Sequence, residues 1–317
     1  MATRIDPGPA PARPSASTER SAAPVRPVLA VLASVVALVG LSACASTSTG
    51  PPPGLSPELH DVSYGPSSSN VADIYPATTG DGPRPVVIWV HGGGWTIGSK
   101  ADVPAGIVAL RDEGFAVVSI DYRLSPGVDH PDHVLDVKRA ISWVEAVARE
   151  RNFDPANVFV AGHSAGGHLS MLAGFTRGVA GLDAGEPPVR GVIAIASPVT
   201  LNSLYGLSFN LDMSLRMYVG CDGLSLDRCD VSAGEPNRYL DAGDPPLLLQ
   251  HSTDDEVVPV SQARSMAAMA AAAGMDVQLD ELSGAHLSTL AAAGGPSLSV
   301  WLLAHLTAAD PSGGSHE

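Results

Sequence analysis

The chain has 317 residues, 45% of them hydrophobic, which is enough for one large buried core or two modest ones. Its 33 Asp and Glu residues outnumber its 18 Lys and Arg residues, giving a formal net charge of −15 at pH 7. Such an acidic surface repels phosphate backbones, so we expect no nucleic-acid partner.

The N-terminal residues are predicted to be an export signal rather than part of the fold. Arginines precede an apolar run at 28–41, which has about the length of a signal-peptide core and is short for a membrane span. The run ends in Leu41-Ser42-Ala43-Cys44, which resembles a bacterial lipoprotein signal. This resemblance implies cleavage of residues 1–43, a diacylglycerol on Cys44, and an exported protein anchored on the extracytoplasmic side of the cell membrane. A secretory signal cleaved without lipid and an uncleaved anchor are the alternatives.

The rest of the chain has the pattern of one α/β domain. Residues 44–57 are rich in Ser, Thr, Pro and Gly and are predicted to be a flexible linker. From 58 to 307, strand-like apolar runs alternate with helical patterns, which predicts a mostly parallel sheet with helices on both faces. Alternating segments near Val62–Tyr64 and Asp73–Tyr75 are predicted to be antiparallel edge strands. The central strands are expected to be buried on both faces, and they are Val86–Val90, Ala116–Ile120, Val158–Ala161, Val192–Ala196, Leu247–Gln250 and Val277–Leu282.

Apolar residues at a spacing of three to four predict helices at about 134–148, 261–273 and 297–305. Residues 199–243 interrupt the alternation and are apolar but irregular, so we expect a small helical lid over the site. An additional pair of helices that covers the core is the alternative. Residues 308–317 are predicted to be a disordered tail.

Two cysteines, Cys221 and Cys229, lie near the end of the expected lid. An exported protein meets an oxidising compartment, so we expect a short-loop disulfide between them, with two free thiols as the alternative.

A serine turn follows the third central strand. Gly162-His163-Ser164-Ala165-Gly166 separates the apolar run 158–161 from a helical stretch that starts near Ala165. In this context a G-x-S-x-G pentapeptide holds the serine in a tight, strained turn, with the amide dipoles of the helix pointing at any charge that develops there. Because a neutral hydroxyl is a poor nucleophile, Ser164 needs a base, an orienting acid and donors for an oxyanion.

Oxyanion donors are expected in His91-Gly92-Gly93-Gly94-Trp95, directly after the strand Val86–Val90. Consecutive glycines at the end of a strand let backbone N–H groups turn toward a carbonyl oxygen. A phosphate-binding loop is disfavoured, because no Gly-Lys-Ser/Thr follows and no G-x-G-x-x-G occurs.

The acid and the base are expected after later strands. Asp254 and Asp255 both follow Leu247–Gln250, and the position relative to Val257-Val258-Pro259 favours Asp255, with Asp254 as the alternative. His286 follows the last strand in a loop. The later histidines are less suitable, since they lie in a helix pattern (His305) and in the polar tail (His316).

Together these motifs resemble those of α/β-hydrolase esterases and lipases with an HGGGW motif, a group that includes hormone-sensitive-lipase-like and feruloyl-esterase- or kynurenine-formamidase-like carboxylesterases. The resemblance covers about 58–307 and implies an α/β-hydrolase catalytic domain. It implies Ser164 as nucleophile, Asp255 as orienting acid and His286 as general base. The oxyanion donors that it implies are the backbone amides of Gly93, Gly94 and Ala165.

Two further segments bear on this resemblance. Asp121-Tyr122-Arg123 matches the family and is interpreted as a structural turn that braces the glycine loop. Ser252 is a departure, because the family often has a glycine after the histidine that corresponds to His251.

The predicted activity is hydrolysis of carboxylic esters through an acyl-enzyme, with a small-molecule or lipid ester as substrate. The expected lid is small, which favours short-to-medium acyl esters at the cell envelope. An arylformamidase or other amide hydrolase with the same triad is an alternative, as is a non-catalytic binding protein on a hydrolase scaffold. No cofactor is expected, and the pairs His130/His133 and His163/His168 lack a third ligand at metal spacing.

Overall fold

The computed structural model of the chain describes residues 56–201, 209–221 and 229–307. The predictions of a signal peptide at 1–43, a lipidated Cys44 and a tail at 308–317 lie outside these residues, as does most of the predicted linker.

A single sheet runs through the described residues, and its strands follow the order β1-β2-β4-β3-β5-β6-β7-β8. The pairs β1–β2 and β2–β4 are antiparallel, and all other neighbouring pairs are parallel. The strands are β1 (Leu59–Ser63), β2 (Val71–Tyr75), β3 (Arg84–Val90), β4 (Ala116–Ile120), β5 (Phe153–His163), β6 (Gly191–Ile195), β7 (Leu247–Ser252) and β8 (Val277–Leu282).

Helices cover this sheet and confirm the expected alternation. Short 3₁₀ turns occur at Ala109–Glu113, Ser232–Gly234 and Pro236–Arg238. The helices are α1 (Ala105–Val108), α2 (Asp132–Ala146), α3 (Ala148–Arg151), α4 (Ala165–Phe175), α5 (Phe209–Tyr218), α6 (Ser261–Ala272), α7 (His286–Ala292) and α8 (Pro296–Ala304).

All six segments predicted to be central strands form strands, and β4 and β8 begin and end at the predicted residues. The prediction that β8 is central and buried on both faces is wrong, because β8 lies at the edge of the sheet and none of its residues is fully buried. The interpretation of β2 as an edge strand is wrong, because β2 lies between β1 and β4. The alternation of polar and apolar residues in β2 suggested that one side of this strand faces solvent. Asp73 on that side is instead buried, with its carboxylate 3.3 Å from the Lys100 ammonium.

Successive side chains of a strand point to opposite faces of the sheet, so each central strand contributes alternately to two cores. In β3, Val86, Ile88 and Val90 pack beneath α2 and α4. Val87 and Trp89 pack on the opposite face with apolar residues of α1 and α8. Each fully buried aliphatic side chain of this kind contributes about 1.5–3 kcal/mol to folding. Helices on both faces of a mostly parallel sheet confirm the predicted α/β-hydrolase fold.

Within residues 56–201, 209–221 and 229–307, every helix taken by itself falls short of the length and hydropathy of a membrane span. The consecutive helices α7 and α8 meet the length and composition criteria together, with a bend of 61° between them.

The described part of the predicted lid contains α5. Leu211, Leu215 and Tyr218 recur at i, i+4 and i+7, and all three are buried in the core under α2. The Tyr218 ring stacks on Trp95 of the glycine loop with ring centroids 4.6 Å apart. Helix α5 therefore covers the core and also contacts the glycine loop, so it has features of both interpretations of this segment.

The predicted disulfide between Cys221 and Cys229 is present, with Cα atoms 6.0 Å apart. It closes a short loop directly after α5. Residues 202–208 and 222–228 of the predicted lid lie outside the described residues, and its role as a lid stays a prediction.

Candidate active site

The predicted nucleophile lies in a strained turn. Strand β5 ends at His163 and α4 begins at Ala165, and Ser164 between them has a φ of 54°. Left-handed backbone is costly for a residue with a β-carbon and persists only where the surroundings fix it. Here the Ser164 N–H donates to the carbonyl of Ile195 at 2.8 Å, and the Ser164 carbonyl accepts from the N–H of His168 at 3.0 Å.

The second glycine of the pentapeptide is required by close packing. A β-carbon on Gly166 would lie 2.0 Å from the carbonyl oxygen of Val90 at the end of β3. Helix α4 can therefore approach β3 this closely only with glycine at this position.

The glycine loop lies beside this turn. A β-carbon on Gly92 would come within 3.4 Å of the Ser164 Cβ. Gly93 has a φ of 101°, and its carbonyl accepts hydrogen bonds from the N–H groups of Thr96 and Ile97, both at 3.2 Å. These bonds close the loop into a tight turn next to Ser164.

The segment after β4 holds the glycine loop in place. The Tyr122 ring stacks on His91 with ring centroids 4.4 Å apart, and the Tyr122 hydroxyl donates to the His91 carbonyl at 3.1 Å. Arg123 in turn pairs with the buried carboxylate of Asp136 at 2.7 Å. The interpretation of Asp121-Tyr122-Arg123 as a structural brace is confirmed.

The structure brings Asp255 and His286 together. Asp255 Oδ2 accepts from His286 Nδ1 at 2.7 Å, and Asp255 Oδ1 accepts from the N–H groups of Val257 and Val258 at 2.9 and 2.8 Å. Asp254 is exposed and instead accepts from the Gly284 N–H at 3.2 Å. Between the two aspartates, Asp255 is the one that contacts the imidazole.

A second histidine contacts the same carboxylate. His251 Nε2 lies 2.8 Å from the Val258 carbonyl and 3.3 Å from Asp255 Oδ2, and the ring is buried. Because a carbonyl only accepts, Nε2 of His251 carries the proton. Burial alone would raise the pKa of Asp255, but hydrogen bonds from His251, His286 and Val258 outweigh it and hold this pKa well below its usual range. Asp255 is therefore ionised at neutral pH.

His163 also packs against His286. Their ring centroids are 4.7 Å apart, and His163 Nε2 lies 3.3 Å from the His286 carbonyl oxygen. Burial lowers the pKa of His163 to about 3, so this ring is neutral and adds no positive charge beside His286.

The Ser164 hydroxyl makes no hydrogen bond to His286 within the described residues. A contact between nucleophile and base commonly tightens only when substrate binds.

The predicted oxyanion donors lie around the same turn. Ala165 is the first residue of α4, where an N–H has no partner within the helix and the helix dipole is positive. Gly94 lies against α5, since a β-carbon on it would approach Ser214 Oγ to 3.0 Å. The roles of Gly93, Gly94 and Ala165 as donors stay predictions.

Sequence reasoning did not assign a role to His251 or His163. His251 is part of the strand end that precedes Asp255, and its spacing of four residues from the acid was the available signal. The position of His286 also differs from the prediction: it is the first residue of a short helix, α7, rather than a loop residue. Among the described residues, no group of three or more His, Cys, Asp or Glu side chains could hold a metal ion.

Comparisons with known proteins identify the family to which the chain belongs. A family model described as BD-FAE matches residues 72–269. The chain is similar to the probable carboxylic ester hydrolase LipM of Mycobacterium tuberculosis, with 33% identity over 214 residues that cover 64% of this chain and 49% of LipM. It is also similar to the esterase LipQ of that organism, with 31% identity over 254 residues that cover 75% of this chain and 58% of LipQ. The chain thus spans roughly half the length of these relatives.

A solved structure has the same fold. A truncated carbohydrate esterase from gut microbiota superposes with a TM-score of 0.72 at 25% sequence identity, and the match covers 81% of this chain and 99% of that chain.

Proposed function

Because the chain belongs to the BD-FAE family and has an α/β-hydrolase fold, we propose that it hydrolyses carboxylic esters through Ser164, His286 and Asp255. The observation that carries the proposal is the 2.7 Å contact between Asp255 and His286 at the sheet edge where Ser164 lies in its strained turn. The similarity to LipM and LipQ supports ester hydrolysis as the reaction.

The first half of the reaction forms an acyl-enzyme. With Nδ1–H of His286 donating to Asp255, Nε2 is the nitrogen with a free lone pair. It takes the proton of Ser164 as Oγ bonds to the ester carbonyl carbon, and the carbonyl electron pair moves onto oxygen. When this tetrahedral intermediate collapses, the C–O bond to the alcohol breaks and His286 returns the proton to the departing oxygen.

In the second half, His286 takes a proton from water as that water attacks the acyl carbon. Collapse of the second intermediate breaks the bond to Ser164 Oγ, releases the carboxylic acid and returns the proton to the serine. The oxyanion of both intermediates is stabilised by the amides of Gly93, Gly94 and Ala165, aided by the dipole of α4.

The electrostatic surroundings favour this cycle. The imidazolium that forms twice per turnover lies beside the ionised Asp255, which stabilises it. The neighbouring His163 stays neutral because burial lowers its pKa to about 3, so it does not oppose that charge.

The proposed substrates are esters of short-to-medium acyl chains. Support comes from the position of α5, since Ser214 of this helix lies against Gly94 and restricts the space above the glycine loop. A small closing helix leaves less room for an acyl chain than a large cap domain does.

The proposal includes a location at the cell envelope, with the domain attached to the membrane through a lipidated Cys44. The support is the sequence: an apolar run ends directly before this cysteine, and a Ser/Thr/Pro/Gly-rich linker separates it from the domain.

The catalytic proposal is tested with Ser164→Ala and, as the matched control, Ser142→Ala on α2, whose hydroxyl bonds to a carbonyl of its own helix. Wild type and control should hydrolyse p-nitrophenyl acetate and butyrate and react with a fluorophosphonate probe. Ser164→Ala should do neither while keeping the melting temperature of wild type. Undiminished turnover in Ser164→Ala would refute the nucleophile assignment, and faster turnover of formamides than of esters would overturn the substrate class.

The location is tested by expressing the full chain in a bacterium that processes lipoproteins, with labelled palmitate in the medium. Label and membrane association should be lost in Cys44→Ser and kept in the control Ser46→Ala. Membrane association that persists without Cys44 contradicts the anchor.

A further inference from the structure

A pair of buried hydroxyl groups links the helix that carries His286 to the sheet. Ser252 Oγ, at the end of β7, lies 2.5 Å from Thr289 Oγ1 in α7. Both residues are fully buried. A hydrogen bond between hydroxyls in such surroundings is shielded from competition by water.

Helix α7 depends on such contacts for its position. It has seven residues, and a helix this short has marginal stability unless tertiary contacts hold it. Within α7, the buried residues are His286 and Thr289. Because they are three positions apart, they lie on the same face of the helix. The face that presents the general base is therefore the face that the hydroxyl pair attaches to β7.

Ser252 is also connected to the acid. Its carbonyl accepts from the N–H of Asp255 at 3.3 Å, which closes the turn that carries the carboxylate. The next residue, Thr253, donates its N–H to the carbonyl of Leu282 at the end of β8 at 2.7 Å. Through its backbone Ser252 holds the turn of Asp255, and through its side chain it holds the helix of His286.

This link is particular to the side chain present here. The link requires a hydroxyl at position 252. Glycine has no hydroxyl, so it could not form a bond to Thr289.

We propose that the Ser252–Thr289 hydrogen bond positions His286 for catalysis by fixing α7 relative to the turn of Asp255. This inference rests on the proposed function. Ser252 and Thr289 are positioning residues, which act through His286 rather than on substrate. Small displacements of a catalytic group have large effects on rate, up to about 100-fold for about 1 Å.

The chemistry of a buried hydroxyl pair allows activity and stability to be separated. Removing one hydroxyl leaves the other buried without a partner, which destabilises the fold, whereas removing both is close to neutral. The positioning bond, however, is absent in the single and the double variants alike. The rate of turnover should therefore fall in every variant that lacks the bond. The melting temperature should fall only in the variants that leave one hydroxyl without a partner.

The experiment compares Ser252→Ala, Thr289→Val, the double variant and Thr289→Ser, which keeps the hydroxyl. We expect kcat for p-nitrophenyl acetate to fall about 10-fold in both single variants and in the double variant, with KM changed less than about twofold. Thr289→Ser should keep kcat within about twofold of wild type. The melting temperature should fall in the single variants and recover in the double variant.

Thr176→Val is the matched control, because Thr176 is also a fully buried residue with a hydroxyl hydrogen bond, in this case to the Leu172 carbonyl at the end of α4. It should lower the melting temperature and leave kcat unchanged.

A second readout does not depend on turnover. The Nδ1–H proton of an imidazole bonded to a carboxylate gives a downfield NMR resonance, which reports the Asp255–His286 contact directly. This resonance should shift or broaden in Ser252→Ala, Thr289→Val and the double variant, and stay in place in Thr289→Ser and Thr176→Val.

Single and double variants that change only the melting temperature, with kcat and the resonance unaltered, would overturn the proposal. If wild type hydrolyses no ester but its resonance responds to Ser252→Ala as expected, the proposed function fails while the positioning role stands.

Discussion

Replacing Asp255 by Asn tests the charge of the acid while keeping its shape. In the proposed mechanism an imidazolium forms on His286, whose Nδ1 lies 2.7 Å from Asp255 Oδ2, which corresponds to about 4 Å between charge centres. At an effective dielectric constant of about 20, this attraction amounts to about 4 kcal/mol. Since about 1.4 kcal/mol is a factor of ten in rate, Asp255→Asn should lower kcat/KM by about 10³-fold. Loss of the orientation of the imidazole adds to this effect.

The matched control is Asp254→Asn, which alters the adjacent carboxylate. Asp254 is exposed and bonds to the Gly284 N–H rather than to a histidine, and an amide oxygen can still accept that bond. We expect its kcat/KM to stay within about threefold of wild type. The assay is the initial rate with p-nitrophenyl butyrate, corrected for folded protein by circular dichroism. If Asp254→Asn loses as much activity as Asp255→Asn, the assignment of the acid and the electrostatic argument are both wrong.

Two further predictions concern stability. Burial lowers the pKa of His130, His133 and His168 to about 4, about 3 and about 3, whereas all three titrate near 6.5 in the unfolded chain. Between about pH 6.5 and about pH 5, the unfolded state therefore binds more protons than the folded state. The free energy of unfolding, measured by urea titration, should fall as the pH decreases through this range, and a rise would contradict the argument. Lys138 forms a buried ion pair with Glu186 at 2.5 Å, so Lys138→Met should cost about 3–5 kcal/mol in the same titrations. Lys138→Met combined with Glu186→Leu should recover most of that loss, and a double variant no more stable than the single one would refute the pairing argument.

The central strands could be predicted because burial on both faces leaves a continuous apolar run in the sequence. The position of β2 could not, because the buried carboxylate of Asp73 is paired with Lys100, and a local pattern does not reveal a partner distant in the chain. Helix α7 was missed because its seven residues bury only one side and give little periodicity.

The candidate site was predictable where its residues lie in local sequence motifs. Ser164 and the glycine loop are local motifs, and the choice of Asp255 over Asp254 followed from the turn toward Val258, whose N–H binds the carboxylate. The contact of His251 with Asp255 is local, and the spacing of four residues was its only signal in the sequence. The contact of Ser252 with Thr289 depends on how β7 and α7 meet in space, and no spacing in the sequence encodes it.

The stacking of Tyr218 on Trp95 has a consequence for engineering the proposed activity. A common way to change acyl preference is to transplant the segment that closes the pocket from a relative. Here α5 shares an aromatic contact with the glycine loop, and its Ser214 lies against Gly94, so α5 and the predicted oxyanion donors are structurally coupled. A chimera that exchanges α5 alone would alter turnover together with selectivity, and the glycine loop has to be exchanged with it.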